Sequence, residues 1–277
     1  MKIRGIPLHD MHLHIRQGCT VEEYLEKAAA LGIEVMGITE HLWDLESVPV
    51  PETPEYAFGL NYYREKTLNK IHAAKANFTG ETGEIALFWG CETEFSGPLG
   101  LVGISEERAK TLDYVVTPHS HFYLPGFTWP ADMTDPRTLA GYMVDTFCQV
   151  ALSPMTDVIA HPFDPTGAAF QAPDVLREIF SHLPKAQLDY CFGMAAKQGK
   201  IIEINLGSFV HGLRNDLYKE TYIPMFAAAK EAGCKFCMAS DAQKPDDLQR
   251  IAPENAEYII DAIGLTVEDI ALPVNRI

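Results

Sequence analysis

Six of the ten histidines in this chain stand at four places: His12 and His14, His41 beside Glu40, His119 and His121, and His161. Carboxylates recur in the same manner as Glu92 with Glu94, Glu203 and Asp241. His12 and His14 are two residues apart, so on an extended strand both imidazoles face one side, close enough to hold one divalent ion. Asp10 shares that parity and is expected to accept a hydrogen bond from a ligand imidazole, fixing its tautomer. A lone His-x-His equally suits a half-exposed strand. The further imidazoles and carboxylates turn the reading toward metal.

Imidazole and carboxylate without thiolate suit Zn, Mn or Fe. More than four candidate ligands imply more than one ion. A carboxylate is the natural bridge because its two oxygens bind separately, and Glu92 is assigned that place. Two ions roughly 3.5–4 Å apart clamp a nucleophile and a leaving group, and bound water is acidified toward a pKa of about 7. The chemistry implied is hydrolysis by metal-bound hydroxide.

These residues need a scaffold that brings them to one rim. Short β-branched or apolar runs alternate with helical patterns, the signature of βα units building a parallel sheet. Seven runs read as strands: 8–14, 33–39, 85–91, 114–117, 158–160, 200–205 and 235–239. Helical patterns follow at 61–76, 137–151, 187–198, 223–232 and 253–263, and an earlier one opens on Thr20 with Glu23 three residues on and stops at Gly32. In parallel barrels the C-terminal strand ends carry the site, and the candidate ligands lie at those ends. No repeat or linker divides the chain, so residues 1–277 read as one α/β domain.

A composition of 47% apolar and 22% charged residues is that of a globular protein. The formal net charge of −16 repels nucleic-acid phosphates and anionic membranes, so neither is expected as a partner. No apolar run marks a signal peptide or a membrane span, which reads as a cytoplasmic protein. The six cysteines show no disulfide framework; Cys234 and Cys237 should point to opposite faces of a strand.

Taken in order, Asp10-Met-His12-Leu-His14, Gly37-Ile-Thr39-Glu40-His41, Gly90-Cys-Glu92, Ala160-His161-Pro162, Glu203-Ile-Asn205 and Ser240-Asp241-Ala242 resemble the PHP family, the polymerase-and-histidinol-phosphatase superfamily of metal-dependent phosphoesterases. The likeness spans about residues 8 to 250. Residues 201–205, Gly212-Leu-Arg214 and 240–247 look closest to its histidinol-phosphatase branch. The resemblance implies a distorted (β/α)7 TIM-like barrel. It implies one ion on His12, His14, Glu92 and Asp241, and a second on Glu92, His161 and a histidine after strand four. That place offers both His119 and His121; one is expected to ligate and the other to contact substrate.

Two departures bear on the third ion of the family's trinuclear members. The histidine usual after His-x-His is missing, and Gln243 replaces the histidine after Asp241, while His41 remains. Two firmly held ions are expected, with the third site weak, empty or differently built. Arg16 and Arg214 are expected to bind phosphate, Arg214 also stabilising charge in the transition state. His211 and Gln243 are further candidates for substrate contact.

The expected activity is hydrolysis of a small phosphorylated metabolite, with Asp241, Glu92 and Arg214 central to catalysis. An amidohydrolase-type C–N hydrolase, or a degenerate PHP module that binds metal or ligand with little catalysis, are the alternatives. The aromatic segment 122–136 after the fourth strand suits a substrate wall and helix packing equally.

Overall fold

The computed structural model describes residues 1–15, 18–45, 84–167, 170, 172–207 and 215–273. The helix expected over 61–76, and Arg16, His211 and Arg214, lie outside the described residues.

Seven parallel strands form the frame: β1 (His9–Asp10), β2 (Val35–Leu42), β3 (Ala86–Thr93), β4 (Val115–Pro118), β5 (Val158–Ala160), β6 (Ile201–Asn205) and β7 (Lys235–Ala239). Each pairs in parallel with its sequence neighbour, so the sheet runs in chain order from β1 to β7. Its two edges then meet. Met11 N–H donates to Met238 O at 3.0 Å, Asp241 N–H to His12 O at 2.8 Å, and His14 N–H to Ala242 O at 2.8 Å. The result is a nearly closed, distorted TIM-like barrel in one α/β domain. The first strand is shorter than the expected 8–14, because beyond Asp10 the chain leaves regular β2 pairing and instead bridges toward β7.

Asp10 joins those edges. Its carboxylate accepts from the backbone N–H of His12 at 3.3 Å and of Ser240 at 3.0 Å, and from the Ser240 hydroxyl. The sequence expectation that Asp10 orients an imidazole is therefore corrected: backbone donors at the barrel seam claim Oδ1 and the Ser240 hydroxyl claims Oδ2. Burial raises its pKa to about 6.

The barrel lumen is filled by Met11, Val35, Tyr114, Val116, Val158, Ala160, Ile201 and Cys237. Tyr114 lies across it with its hydroxyl on Met11 O at 2.8 Å. Side chains on β2 and β3 must yield to it. A Cβ at Gly37 would sit 1.9 Å from the Tyr114 oxygen, and one at Gly90 2.8 Å from the Tyr114 carbonyl. The glycines of the Gly37 and Gly90 motifs thus make room for a tyrosine. Cys234 packs in the outer core and Cys237 in the lumen, as their strand parity implies.

Helices α1 (Val21–Leu31), α2 (Glu106–Ala109), α3 (Pro136–Leu152), α4 (Pro173–Ser181), α5 (Lys185–Lys197), α6 (Asp216–Glu220), α7 (Tyr222–Glu231) and α8 (Pro253–Ile263) flank the strands. At the start of α1, Thr20 and Glu23 form the reciprocal cap expected from their spacing, and Gly32 ends it at φ +75°. Tyr24 of α1 reaches inward to donate to His14 O at 2.7 Å. Helix α4 was not expected from the sequence pattern; its short length hides a two-residue buried stripe, Leu176 and Ile179, behind its opening Pro173. Among the described residues no helix is long and apolar enough to cross a membrane.

Candidate metal centre

β3 places Glu92 inward, directly across from His41 of β2. Buried to 2% exposure, Glu92 is met on both oxygens by imidazoles. Its Oε2 lies 3.4 Å from His12 Nε2, 3.5 Å from His14 Nε2 and 2.9 Å from His41 Nδ1. Its Oε1 lies 3.4 Å from Nε2 of both His121 and His161. Two potential metal-holding groups share this one carboxylate: His12, His14 and Glu92, and Glu92, His121 and His161.

The spacing inside each group is informative. His12 Nε2 and His14 Nε2 are 3.2 Å apart, as are His121 Nε2 and His161 Nε2. Two nitrogens bound tetrahedrally to one zinc at about 2.0–2.1 Å are roughly 3.3 Å apart. Every edge within both groups falls between 3.2 and 3.5 Å. The residues present fit a divalent ion at each group.

At His12 and His121 the ring nitrogen turned away from Glu92 explains why the tautomer holds. His12 Nδ1 lies 2.8 Å from Glu203 Oε2, whose other oxygen accepts from Asn205 Nδ2 at 2.8 Å. His121 Nδ1 lies 3.0 Å from Glu94 Oε2. Each carboxylate keeps the proton on Nδ1 and leaves Nε2 facing the centre. Glu203, expected at the rim as a ligand, serves in this outer position. Glu203→Gln and Glu94→Gln are each expected to weaken zinc affinity about 10–100-fold while the protein stays folded, read by competition with a chromogenic chelator. Unchanged affinity in both variants would remove the orienting role.

Asp241 and His161 occupy the turns after β7 and β5 at φ +51° and +24°. Non-glycine residues held there cost about 1–3 kcal/mol and collect at functional sites. Asp241 Oδ1 lies 3.4 Å from His14 Nε2 and accepts from Gln243 Nε2 at 3.0 Å. Gln243 thus spends its amide on Asp241, where substrate contact was expected. Glu40 accepts from Ile15 N–H and pins the chain after His14.

His119 corrects another expectation. Its Nε2 accepts from Phe163 N–H at 2.8 Å, its Nδ1 lies 3.3 Å from Thr146 Oγ1, and its ring packs edge-on to Phe147 and Phe163. Both nitrogens serve the protein interior, so His119 neither joins the groups around Glu92 nor faces substrate. One residue of strand parity does not separate it from His121, and only packing does. The aromatic segment after β4 is chiefly core: Phe122, Phe127 and Trp129 are buried, and Tyr123 alone lies 38% exposed with its ring edge on His121.

Without ions these contacts favour the protonated form of three imidazoles, His12, His41 and His161. Burial opposes a charge on His12, but Glu203 and Glu92 outweigh it and hold its pKa well above the ordinary value. Burial is likewise overcome at His41 and His161, which Glu92 helps to raise to about 9. His14 is lowered by burial and by His41. Burial would raise Glu92, yet His12, His41 and His121 hold it well below the usual range.

Sequence reasoning missed three polar groups beside this centre. Asp164 is 1% exposed in the turn after His161, and the buried hydroxyls of Tyr218 on α6 and Tyr222 on α7 lie near it, that of Tyr222 in hydrogen-bonding position to its carboxylate. Both tyrosines lie within electrostatic reach of Asp164, as do His161 and His121. The position of Asp164 in a rim turn was its only sequence signal, and nothing in a helical pattern announces the tyrosines.

No protein-family model matches the chain. No curated protein matches it either. Solved structures do match. A protein assigned as the histidinol phosphatase HisK of Listeria monocytogenes is 15% identical, with a TM-score of 0.61 over 87% of this chain and 97% of its own. Histidinol phosphate phosphatase of Lactococcus lactis, complexed with zinc, L-histidinol and phosphate, is 16% identical, with a TM-score of 0.56 over 95% and 98%. The fold is that of these two proteins along most of the chain.

Proposed function

We propose that this protein is a metal-dependent phosphoesterase that hydrolyses a small phosphorylated metabolite. The observation that carries this reading is Glu92, whose two oxygens each face a pair of imidazole Nε2 atoms at 3.4–3.5 Å. His12, His14 and Glu92, with Asp241 beside His14, would hold one ion, and Glu92, His121 and His161 a second. Zinc is the first candidate, since the Lactococcus neighbour holds it. Ions bound there would acidify water near neutral pH and supply charge to oppose the phosphate oxygens.

The protein's own groups do the rest. His41, 2.9 Å from Glu92 Oε2, fits an imidazolium that donates to that oxygen in place of a third ion. Gln243 orients Asp241. Tyr123 walls the His121 side. Arg16 and Arg214 remain assigned to phosphate binding on sequence grounds. Asp164, a buried carboxylate beside His161 that the Tyr222 hydroxyl steadies, would take a cationic group on the leaving alcohol, which makes amino-alcohol phosphates such as histidinol phosphate the substrates to try first.

Purified protein loaded with zinc or manganese should hold about two ions per chain and hydrolyse phosphate monoesters in preference to amides and lactams. Metal without turnover of any phosphate ester would favour a binding module, and turnover of amides alone the C–N hydrolase. Asp164→Asn should raise KM for an amino-alcohol phosphate about 10–100-fold, the worth of a charge-assisted hydrogen bond, and leave KM for a neutral-alcohol phosphate nearly unchanged. Equal effects on both would remove Asp164 from substrate recognition.

A further inference from the structure

Two cysteines on neighbouring outer helices stand apart from the other four. Cys148 of α3 and Cys191 of α5 have sulfurs 3.9 Å apart. Cys148 is partly exposed and Cys191 fully buried. Of the remainder, Cys91 is buried, Cys234 donates to Phe192 O at 3.2 Å, and Cys237 faces the barrel lumen. Cys19 is partly exposed.

We propose that Cys148 and Cys191 are a peroxide-sensitive dithiol that closes to a disulfide and ties α3 to α5 beneath the turn carrying His161. To bond, the sulfurs must close from 3.9 Å to the roughly 2.05 Å of a disulfide, between two helices that pack side by side. The roles follow from exposure. Cys148 is reachable from solvent, and the hydrogen bond from the Cys191 thiol lowers its pKa against burial and the opposing charge of Asp145. Cys191 is held as a thiol, raised by the same bond and by burial. In the first step the Cys148 thiolate attacks a peroxide oxygen, the O–O bond breaks, and sulfenic acid forms as hydroxide or alkoxide leaves and takes up a proton. The Cys191 sulfur then attacks the Cys148 sulfur, the S–O bond breaks, and water departs with the Cys191 proton. Two thiols and one peroxide give one disulfide, one water and one alcohol or second water.

The cross-link falls where the outer layer supports the metal centre. Phe147, next to Cys148, stacks on Phe163 with centroids 5.1 Å apart. Phe192, next to Cys191, meets Phe147 edge-on at 5.4 Å and Phe163 at 6.0 Å. Phe163, at φ +58°, is two residues from His161 and donates its N–H to His119. The closed loop from 148 to 191 includes all of β5.

The zinc-loaded protein treated with equimolar hydrogen peroxide, alkylated and digested without reductant should yield a Cys148–Cys191 linked peptide, with two fewer free thiols than the six of the reduced chain. Its melting temperature should rise by about 4–10 °C and return on reduction, the size expected for a disulfide closing a loop of this length in a protein of this size. Cys148→Ala and Cys191→Ala should each abolish the linked peptide and the shift. In Cys191→Ala, Cys148 should stop at a sulfenic acid trapped by a cyclic 1,3-diketone. Since Cys148 is partly exposed, its variant should fold even if the buried one does not. Peroxide that leaves both thiols free, drives Cys148 in the wild-type chain to sulfinic acid without linkage, or gives the linked peptide with no thermal shift would overturn the proposal.

Discussion

Glu92→Gln is expected to cost both ions at once and to lower kcat/KM on a phosphate ester by at least about 10³-fold, because the charge stabilisation a bound ion supplies amounts to several kcal/mol. Glutamine matches glutamate in size, so the site is not opened. It offers one acceptor oxygen, and its NH2 donors would face the imidazole nitrogens that now converge on a carboxylate. Glu92 Oε1 serves His121 and His161 while Oε2 serves His12, His14 and His41, so among the described residues Glu92 is the one that both groups share. The contrast is His119→Ala, which should lower stability through the lost packing on Phe147 and Phe163 while leaving metal content at wild-type level in the folded fraction. Elemental analysis beside kinetics checks both. A Glu92→Gln protein that keeps two ions per chain would refute the shared-carboxylate centre.

The second large effect is in pH. His161 is raised to about 9, and His12 is raised well above its ordinary value, so in the ion-free protein each group carries a proton at neutral pH on a nitrogen that zinc requires. Each ion must displace one proton, so zinc affinity at the His161 group should rise about tenfold per pH unit below pH 9, roughly 100-fold from pH 6 to 8, and affinity at the His12 group should rise in the same direction. The sign for folding runs the other way. A histidine whose folded pKa exceeds the unfolded value stabilises the ion-free chain fully below about 6.5, and that stability fades as pH rises toward 9. Melting temperature should therefore fall with pH for the chelator-treated protein and rise for the zinc-loaded one across that window. Calorimetry in buffers of different ionisation enthalpy counts the protons; zinc uptake that releases none would refute the assignment.

Much of this site was legible as spacing. His12 and His14 share a strand face because strand side chains alternate, and six short motifs in order marked the strand ends that carry the centre. The strand and helix bounds followed from periodicity and capping: the expected 158–160 and 235–239 coincide with β5 and β7, and 253–263 with α8. Where expectation failed, the competing partner was distant in sequence. Asp10 is drawn off by Ser240, 230 residues away, and the carboxylate that orients His12 is Glu203, 191 residues away.

Residue types and local order thus determined the seven-stranded parallel frame, the imidazole and carboxylate content of its rim, and Glu92 as the residue most suited to join two groups. Tertiary structure alone decided which of His119 and His121 faces Glu92, since both have the same parity and only Phe147, Phe163 and Thr146 claim the first. It also decided that the motif glycines Gly37 and Gly90 yield to Tyr114, that Asp164 meets two tyrosines from later helices, and that Cys148 meets Cys191. The physical reason is common to all of these. Alternation and capping act within one element and can be read along the chain, whereas buried polar groups and thiols are settled by whichever partner close packing brings within a few ångströms.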